Sequence, residues 1–495
     1  MTPEERTLAY RWSPAVICSQ LALSISCFIG DLEGADCTQD SDCLEYLCID
    51  RKCREPATVT AIAVGSRNTC AVVDGNVRCW GDNRDYQLGI PSPLAPSDQR
   101  CWPSPNGPEV STELQVKSIA ISNTNNTDYP IHACALHESG SITCWGKGSY
   151  AQTLSGWLGQ GNNLDIYSPL EVSSIRDDMN IEIRASSVSV SEMYSCAILT
   201  GDGDLSCWGA ATKHLGAPTS QNVGAGPPAP MQINVDFPLS VDQVAEVALG
   251  TNHACAIVAD GGSTWCWGAV QYGGVGVSPC AEVQCDEEDF NPPFDEGPTV
   301  TAPVKALSMP TRSLAVGGTH TCAIRTDDTV YCWGSNKYGQ LGLGTASPSA
   351  LPPGSCRPDL DDGKTECTLV PIEAYEVSKL QVQPLSIVAG EHHSCILTST
   401  REVYCWGDNR LGQLGTNSTS SSFRPLLVEF PHADVPEDLA CAGAHCCVRT
   451  TDGGVLCWGD DSFGQLGRAR DTGCVTSQPS GPIKVPIVKS VLSSN

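Results

Sequence analysis

Cysteine is the residue type with which this sequence could do most chemistry, because thiols ligate metals, act as nucleophiles and form disulfides. The chain has 28 cysteines among 495 residues. The CxxC spacing typical of zinc sites is absent, and the dominant spacing is instead nine to eleven residues. Since a reducing cytosol opposes disulfides, this pattern predicts disulfide bonds and an oxidising compartment.

The paired cysteines belong to a unit that occurs seven times. Each copy ends in Cys-Trp-Gly, and a partner cysteine precedes that motif across a turn-prone segment. The predicted disulfides are Cys70–Cys79, Cys134–Cys144, Cys196–Cys207, Cys255–Cys266, Cys322–Cys332, Cys395–Cys405 and Cys447–Cys457. The tryptophans that follow the second cysteines are Trp80, Trp145, Trp208, Trp267, Trp333, Trp406 and Trp458.

Antiparallel pairing explains the spacing. Asp74-Gly75 favours a two-residue type I′ turn that brings Cys70 opposite Cys79 in a non-hydrogen-bonded pair, with Cα atoms about 4.5 Å apart. That distance is within reach of a disulfide, so each unit is expected to be a hairpin stapled across its strands. Longer loops give the same offset in the other copies, at 138–140, 200–203, 259–262, 326–328, 399–401 and 451–453.

The strands that carry these cysteines are continuous apolar runs rather than alternating ones, as in sheets that are covered on both faces. The tryptophan beside each second cysteine points to the opposite face of its strand, so it is expected to wedge between neighbouring sheets. Each staple closes a loop of about ten residues and is worth roughly 2–3 kcal/mol. A chain of 495 residues exceeds one core, and seven small stacked sheets resolve that difficulty.

The charge balance restricts the choice of partners. With 29 basic and 56 acidic residues the net charge is −27, which repels phosphate backbones and anionic lipid, so a nucleic-acid partner is not expected. Two insertion loops are especially acidic, with six carboxylates in 285–297 and four in 357–367. Solvated loops are the favoured interpretation, and a Ca²⁺ site is the alternative.

The N-terminal region suggests export. The apolar run 14–26 suits the core of a signal peptide and is too short to span a bilayer. Ser26 before Cys27 resembles a lipoprotein cleavage site, with Cys27 as the tentative lipid anchor and simple secretion as the alternative. We divide the chain into a signal peptide (1–26), a short Cys-rich module (27–57), the repeats (58–489) and a tail (490–495).

The remaining cysteines fall into local and unassigned groups. Cys280–Cys285 and Cys356–Cys367 are predicted as local pairs. The partners of eight others stay open: Cys37, Cys43, Cys48, Cys53, Cys101, Cys441, Cys446 and Cys474.

The repeated motif G-x-x-H-x-C-A…DG…V-x-C-W-G-x-N…G-Q-L-G resembles the repeat of the regulator-of-chromosome-condensation family, from about residue 59 to 488. The resemblance implies an all-β, seven-bladed β-propeller of four-stranded blades, here preceded by the small disulfide-rich module. Paired cysteines are similar to those of secreted bacterial members. Four stretches exceed the family's repeat and are expected to crowd one rim, namely 90–113, 216–243, 273–303 and 345–381.

Five histidines occupy the G-x-x-H-x-C position: His132, His253, His320, His393 and His445. Because the position repeats in successive units, we interpret these residues as structural, with each ring tying its strand to a backbone group. No catalytic motif such as G-x-S-x-G or H-E-x-x-H occurs. The chain is therefore predicted to have neither catalytic residues nor a required cofactor.

The leading hypothesis is an exported, envelope-anchored, monomeric scaffold that binds a protein or polysaccharide at the cell surface with one propeller rim. Family resemblance offers two alternatives. One is a guanine-nucleotide exchange factor for a small GTPase, which the cysteines oppose. The other is an inhibitor of an extracellular enzyme, for which Trp102, Trp157 and Tyr272 are candidate anchors.

Overall fold

The computed structural model describes most of the repeat region and parts of the N-terminal region. The described ranges are 16–19, 26–29, 36, 47–49, 52–90, 101–102, 105–106, 109–110, 115–123, 131–147, 158, 166–172, 184–192, 194–201, 203–209, 233–234, 243–259, 261–269, 273–277, 299–344, 367–431, 434–468 and 481–487. These residues belong to two compact units, one formed by 1–57 with 486–495 and the other by 58–485.

The described residues of the first unit form two small antiparallel sheets. Strand β1 (Val16–Ser19) pairs with β2 (Ser26–Ile29), and β3 (Leu47–Ile49) pairs with β4 (Lys52–Arg54). The register of the second pair places Cys48 opposite Cys53. Cys37 and Cys43 lie outside the described residues.

The second unit is a seven-bladed β-propeller of four-stranded antiparallel blades, which confirms the predicted architecture. Blade 1 has β5 (Val59–Val64), β6 (Asn68–Val73), β7 (Asn76–Asp82) and β8 (Cys101–Trp102). Blade 2 has β9 (Val116–Ile121), β10 (His132–His137), β11 (Ile142–Gly146) and β12 (Ile166–Glu171). Blade 3 has β13 (Ala185–Val190), β14 (Tyr194–Leu199), β15 (Leu205–Gly209) and β16 (Ile233–Asn234).

Blade 4 has β17 (Val244–Leu249), β18 (His253–Val258), β19 (Thr264–Ala269) and β20 (Thr299–Leu307). Blade 5 has β21 (Thr311–Val316), β22 (His320–Arg325), β23 (Val330–Ser335) and β24 (Cys367–Glu373), followed by the short helix α1 (Tyr375–Ser378). Blade 6 has β25 (Pro384–Ala389), β26 (His393–Thr398), β27 (Val403–Gly407) and β28 (Ser422–Leu427). Blade 7 has β29 (Pro436–Ala442), β30 (His445–Thr450), β31 (Val455–Gly459) and β32 (Ile483–Lys484).

The order of strands defines two faces of the ring. We call the strands of each blade A to D in chain order. The A strands of successive blades contact one another, including those of blades 7 and 1, so the A strands surround the axis and the ring is closed. Because the strands are antiparallel, A–B and C–D connections emerge on one face, which we call the A–B face, and B–C turns emerge on the other, the B–C face.

The predicted hairpin register is confirmed. Cys70 lies opposite Cys79, and the other six predicted pairs are opposed in the same way. Each opposed pair is joined by a disulfide, with Cα atoms 4.1 Å apart. Asp74 and Gly75 have φ of 52° and 79°, as a type I′ turn requires. Loop length and cysteine spacing therefore change together.

The core consists of clusters between blades. In each cluster, the staple of one blade packs with the tryptophan of the next, as Cys70 and Cys79 do with Trp145. The same arrangement recurs around the ring, for example with Cys322, Cys332 and Trp406. All seven repeat tryptophans are almost completely buried. The predicted wedge between neighbouring blades is thus confirmed, and the disulfide forms part of the surface that receives it.

The long insertions depart from their predicted bounds. Each of the four ranges contains its blade's D strand, β8, β16, part of β20 or β24, so the extra length is not one uninterrupted loop. In blades 1, 3, 4 and 5 the C–D connection begins and ends on the A–B face. That topology is consistent with the crowding of one rim, although most insertion residues lie outside those described.

Candidate interaction face

The A–B loops approach one another near the axis. Gly317 is needed there, because a Cβ on it would lie 2.5 Å from the carbonyl oxygen of Gly390 in the next blade. Asn123 of blade 2 crosses between loops that are not neighbours. Its Oδ1 accepts hydrogen bonds from the Gly443 amide of blade 7 at 2.8 Å and from the Ser66 hydroxyl of blade 1 at 3.1 Å. Its carbonyl oxygen accepts one from Thr251 of blade 4 at 3.3 Å.

A pocket of about 390 Å³ opens on this face between the loops of blades 1, 6 and 7. Its lining combines cationic, acidic and aromatic groups. They include Arg67, Glu391, His392, Arg410, Asp460 and Phe463. The Ser66 hydroxyl in the same lining donates its hydrogen bond to the Asn123 amide oxygen, and not to a side chain that could act as a general base and activate it as a nucleophile.

The sequence Gly-Asp-Asn-Arg occurs at 81–84 in blade 1 and again at 407–410 in blade 6, and Asp408 and Arg410 of the second copy line the pocket. The Arg410 guanidinium donates to both oxygens of Asp408, with Nη2 2.9 Å from Oδ2. Arg84 holds Asp82 in the same way, at 2.7 Å. Burial acts to raise the pKa of Asp408, but the hydrogen bonds from Arg410 outweigh it and lower that pKa. Each arginine therefore holds its carboxylate in a fixed orientation.

The paired arginines are also laid against aromatic rings. The Arg84 guanidinium lies 4.9 Å from the centre of the Phe463 ring, and the Arg410 guanidinium lies 4.5 Å from the Tyr338 ring. Tyr338 in turn contacts the His392 ring, with centroids 5.0 Å apart. Cation–π contacts hold these flat groups in place, so the surface offered to a ligand is preorganised.

One pocket carboxyl group titrates near neutrality. Burial, and secondly the charge of Asp408, raise the pKa of Glu391 to about 7, while Arg410 acts against them. Its Oε1 is 3.5 Å from His392 Nε2, and burial lowers the pKa of His392. Around neutral pH the pocket therefore gains or loses a negative charge on Glu391 while His392 stays neutral.

The repeat histidines lie beneath the face and connect the blades. His445 Nε2 is 2.9 Å from Thr69 Oγ1 of the next blade, and that hydroxyl donates to the Gln465 carbonyl oxygen at 2.9 Å. Since the hydroxyl has a single hydrogen, it must accept from an Nε2–H. The same contact joins His132 to Ser195, His253 to Thr321 and His320 to Ser394.

This geometry corrects the predicted role of the histidines. Each ring reaches across to the following blade, where four of the five meet a hydroxyl group and His393 meets the Cys446 sulfur, rather than a backbone group. Burial lowers the pKa of His132 and His445 to about 3, so the rings are neutral. Where the preceding blade has Asn68 or Tyr194 instead of histidine, the following blade has alanine, Ala133 or Ala254, at the hydroxyl position. Comparing successive repeats would have revealed this pairing.

The tryptophans complete the same connection. The Trp80 indole N–H donates to the Gln465 carbonyl oxygen at 2.9 Å, so one carbonyl receives both Trp80 and Thr69. The Gln340 carbonyl likewise accepts from Trp406 and Ser394, each at 2.9 Å. The Gln-Leu-Gly segment of one blade is thereby hydrogen-bonded to the next blade.

Several predicted residues lie where no side chain is described. Trp157, Tyr272, Cys280, Cys285 and Cys356 are outside the described residues, as are both acidic loops apart from Cys367. Cys367 is disulfide-bonded. Cys27 and Trp102 are placed only by their strands, β2 and β8. The pocket residues were missed because five distant segments from three blades form it, although the repeated Gly-Asp-Asn-Arg motif was a signal.

A closed ring of seven four-stranded blades defines a β-propeller, and one face of this ring has a pocket of polar and aromatic groups. Residues 131–494 match the sequence model of the RCC1-like domain, and residues 59–87 match the regulator of chromosome condensation (RCC1) repeat. The chain therefore belongs to the RCC1-like domain family.

Relatives in sequence and structure have varied roles. The chain is 27% identical to the ultraviolet-B receptor UVR8 of Arabidopsis thaliana over 426 residues, covering 86% of this chain and 82% of the receptor. It is 24% identical to the mouse E3 ubiquitin-protein ligase HERC2, covering 92% of this chain but 8% of the ligase. The human WBSCR16 structure matches with a TM-score of 0.61 at 18% identity, covering 82% of this chain and 93% of that one.

The structure of Prp20p from Saccharomyces cerevisiae matches with a TM-score of 0.57 at 21% identity, covering 77% of this chain and 80% of that one. Prp20p is described as binding Gsp1p and histones. At these identities the structural matches show the fold alone. Separately, no helix among the residues that the structure describes is long and apolar enough to span a bilayer.

Proposed function

We propose that this chain is an exported, non-catalytic binding protein whose A–B face holds a protein partner. The observation that carries the proposal is the pocket between the loops of blades 1, 6 and 7, which combines arginine and aromatic groups. Arginine and aromatic residues are enriched in the energetically dominant centres of protein interfaces. The long C–D connections of blades 1, 3, 4 and 5 begin and end on the same face and would extend the contact area.

The charges of the pocket favour a polypeptide over a polysaccharide. Arg410 and Phe463 suit a partner with both a carboxylate and an apolar side chain, whereas Glu391 suits a basic group. A neutral glycan would use neither set of charges. The yeast protein Prp20p, which is described as binding Gsp1p and histones, has the same fold and binds proteins.

The disulfides support the exported setting. Eight disulfides join described residues, and such bonds persist in oxidising compartments. Cys27 as the lipid anchor of an envelope protein remains part of the proposal. An exchange factor acting on a small GTPase would work in a reducing compartment, and an enzyme inhibitor would work outside it.

The binding face can be tested with a matched pair of variants. Arg410→Glu changes the arginine that stacks on Tyr338 at the pocket. Arg325→Glu changes an arginine that stacks on Tyr331, at 5.4 Å, and pairs with Asp327 on the opposite, B–C face. Each variant would be cross-linked to its partner in native cells and the captured protein quantified by mass spectrometry.

We expect the partner to be lost with Arg410→Glu and retained with Arg325→Glu. Equal capture by both variants, or loss with both, would contradict use of the A–B face. A captured species that resists proteases and is destroyed by glycosidases would replace the protein partner with a polysaccharide.

The compartment is tested by the intact mass of unreduced protein from native cells, taken in the presence of a thiol-blocking reagent. An acylated N-terminus at Cys27 and no blocked thiols are expected. A chain that begins at Met1 with most thiols blocked would overturn export and favour the exchange-factor alternative.

A further inference from the structure

One disulfide between described residues, other than the seven staples, lies at the junction between blades 6 and 7. Cys441 at the end of strand A faces Cys446 on strand B, and the two are bonded. The sequence pattern leaves both cysteines unassigned. Unlike the staples, this bond connects strands A and B, and Cys441 is partly exposed whereas the staple sulfurs are buried.

Comparison with the other blades shows what these two cysteines replace. Cys446 occupies the position of Thr69, Ser195, Thr321 and Ser394, the hydroxyl residues that accept from the preceding blade's histidine. Accordingly its Sγ lies 3.1 Å from His393 Nε2. Cys441 occupies the position of Val64, Val190 and Val316, which are opposed to the corresponding strand B residues.

The cluster has the composition of a soft-metal site. The ligand atoms of His393, Cys395, Cys441 and Cys446 all lie within 4.8 Å of one another. Ligand atoms of a tetrahedral zinc ion are about 3.5–3.8 Å apart, as the Zn–S and Zn–N bond lengths require. Small side-chain movements would therefore suffice once the Cys441–Cys446 bond is open, while Cys395 stays in its staple with Cys405.

We propose that Cys441 and Cys446 form a reducible pair whose reduced form, together with His393 Nε2, binds one zinc ion. The surroundings favour a divalent ion, because the cluster is buried among apolar residues such as Leu397, Leu439 and Trp458. Two thiolates and a neutral imidazole around Zn²⁺ have no net charge, which limits the cost of burial.

The chemical step is a two-electron reduction. A dithiol reductant breaks the Cys441–Cys446 bond by thiol–disulfide exchange, becomes a disulfide itself and transfers two electrons and two protons to the two sulfurs. Zinc binding then releases those two protons as the thiols become thiolates. Reoxidation by an added disulfide would expel the metal and restore the bond.

The test uses the full chain under native conditions. Limited reduction with dithiothreitol, followed by alkylation and peptide mass spectrometry, should modify Cys441 and Cys446 before any staple cysteine. The reductant is then removed without oxygen, ZnCl₂ is added, and bound zinc is measured after dialysis. We expect one zinc ion per reduced chain, protection of both cysteines from alkylation, and neither effect in oxidised protein.

Two variants copy residues from other blades and should therefore fold. Cys446→Ser restores the hydroxyl found as Ser394, and Cys441→Val restores the valine found as Val316. Both should abolish stoichiometric zinc binding. His393→Asn, which copies Asn68 of blade 1, should weaken it at least tenfold, a loss of about 1.4 kcal/mol.

Three results would overturn the proposal: reduction of the staples before this pair, zinc binding that is equal in oxidised protein and in the variants, or alkylation of Cys441 and Cys446 that zinc does not slow. Adventitious binding of zinc to carboxylates of the acidic surface would be recognised by equal zinc binding in the oxidised protein.

Discussion

His445 Nε2 and Thr69 Oγ1 are 2.9 Å apart although 376 residues separate them in the chain. The contact joins the last blade to the first, and the Thr69 hydroxyl continues it to the Gln465 carbonyl oxygen. The same connection recurs at three junctions between blades that are neighbours in sequence, so the ring closes with a bond that also holds interior junctions. No exchange of a strand between the first and last blades is needed, since blades 1 and 7 each have four strands of their own.

Thr69→Ala tests this closing bond. The substitution leaves the His445 Nε2–H buried without an acceptor and removes a donor from the Gln465 carbonyl. We expect a loss of about 1–3 kcal/mol in the free energy of unfolding, measured by urea denaturation with the disulfides intact. The double variant His445→Asn with Thr69→Ala copies the Asn68–Ala133 junction and should recover part of that loss. A neutral Thr69→Ala would refute the assigned role.

Trp406→Phe tests the indole part of the connection. The change removes the N–H that donates to the Gln340 carbonyl at 2.9 Å, so destabilisation of about 1–3 kcal/mol is expected. Trp265→Phe is the control, because that indole donates to Ser263 within its own turn at 3.0 Å. Its effect should be smaller in the same denaturation assay. The reverse order would mean that indole hydrogen bonds between blades contribute little.

Acid should weaken the ring through its buried histidines. Their pKa values are about 3 for His132 and His445 and about 4 for His393, below the value of about 6.5 in an unfolded chain. The unfolded state therefore binds more protons between about pH 6.5 and 4, and stability falls as pH decreases through that range. Each histidine contributes about 1.4 kcal/mol per pH unit there.

Denaturation midpoints measured between pH 7.5 and 4.5 check this expectation. The double variant His445→Asn with Thr69→Ala lacks one buried histidine and should show a shallower dependence on pH than the natural chain. An unchanged slope would show that other groups control the acid sensitivity.

Glu391→Gln tests a pH dependence opposite to that of the histidines, because Glu391 should make the folded chain less stable as the pH rises. The pKa of Glu391 is raised to about 7, so the folded state holds a proton that the unfolded chain releases near pH 4.3. The favourable contribution of that proton is lost as pH rises through 7. The variant should therefore gain stability relative to the natural chain between pH 5 and 8.

A carboxyl titration followed by NMR would identify the group directly. The Glu391 signal should move with a midpoint near neutrality in the natural chain. Asp408→Asn removes the nearby negative charge and should lower that midpoint. A midpoint near that of an exposed glutamate in both proteins would contradict the electrostatic description of the pocket.

The hairpins were predictable because their determinants are local. Turn length fixes register, so Asp74-Gly75 was sufficient to pair Cys70 with Cys79, and strand alternation was sufficient to direct Trp80 between blades. The pocket was not predictable in this way, since Arg67, Glu391 and Phe463 come from three loops that only ring closure brings together. Cys441–Cys446 was left open because no other repeat has cysteines at these two positions, so repetition gave no support for the pair.

The partner of each histidine was missed for a different reason. Aligning every repeat to one common pattern hides a rule that relates one repeat to the next. The roles of His320 and Ser394 are recognised only when two consecutive blades are compared, because the two residues form one contact between those blades. The information was local in space but divided between consecutive units of the sequence.

The pairing of histidine with hydroxyl across junctions also limits how such a ring can evolve. A blade can carry the hydroxyl group for the bond to the preceding blade and the histidine for the bond to the following blade. Duplicating, deleting or transplanting a single blade would therefore bring together residues that do not match, such as a histidine facing Ala133. The compatible unit of inheritance is the junction, which runs from strand B of one blade to strand B of the next. Because His320 and Thr321 are adjacent but belong to different junctions, every rearrangement creates a new junction, which is compatible only where its two halves match.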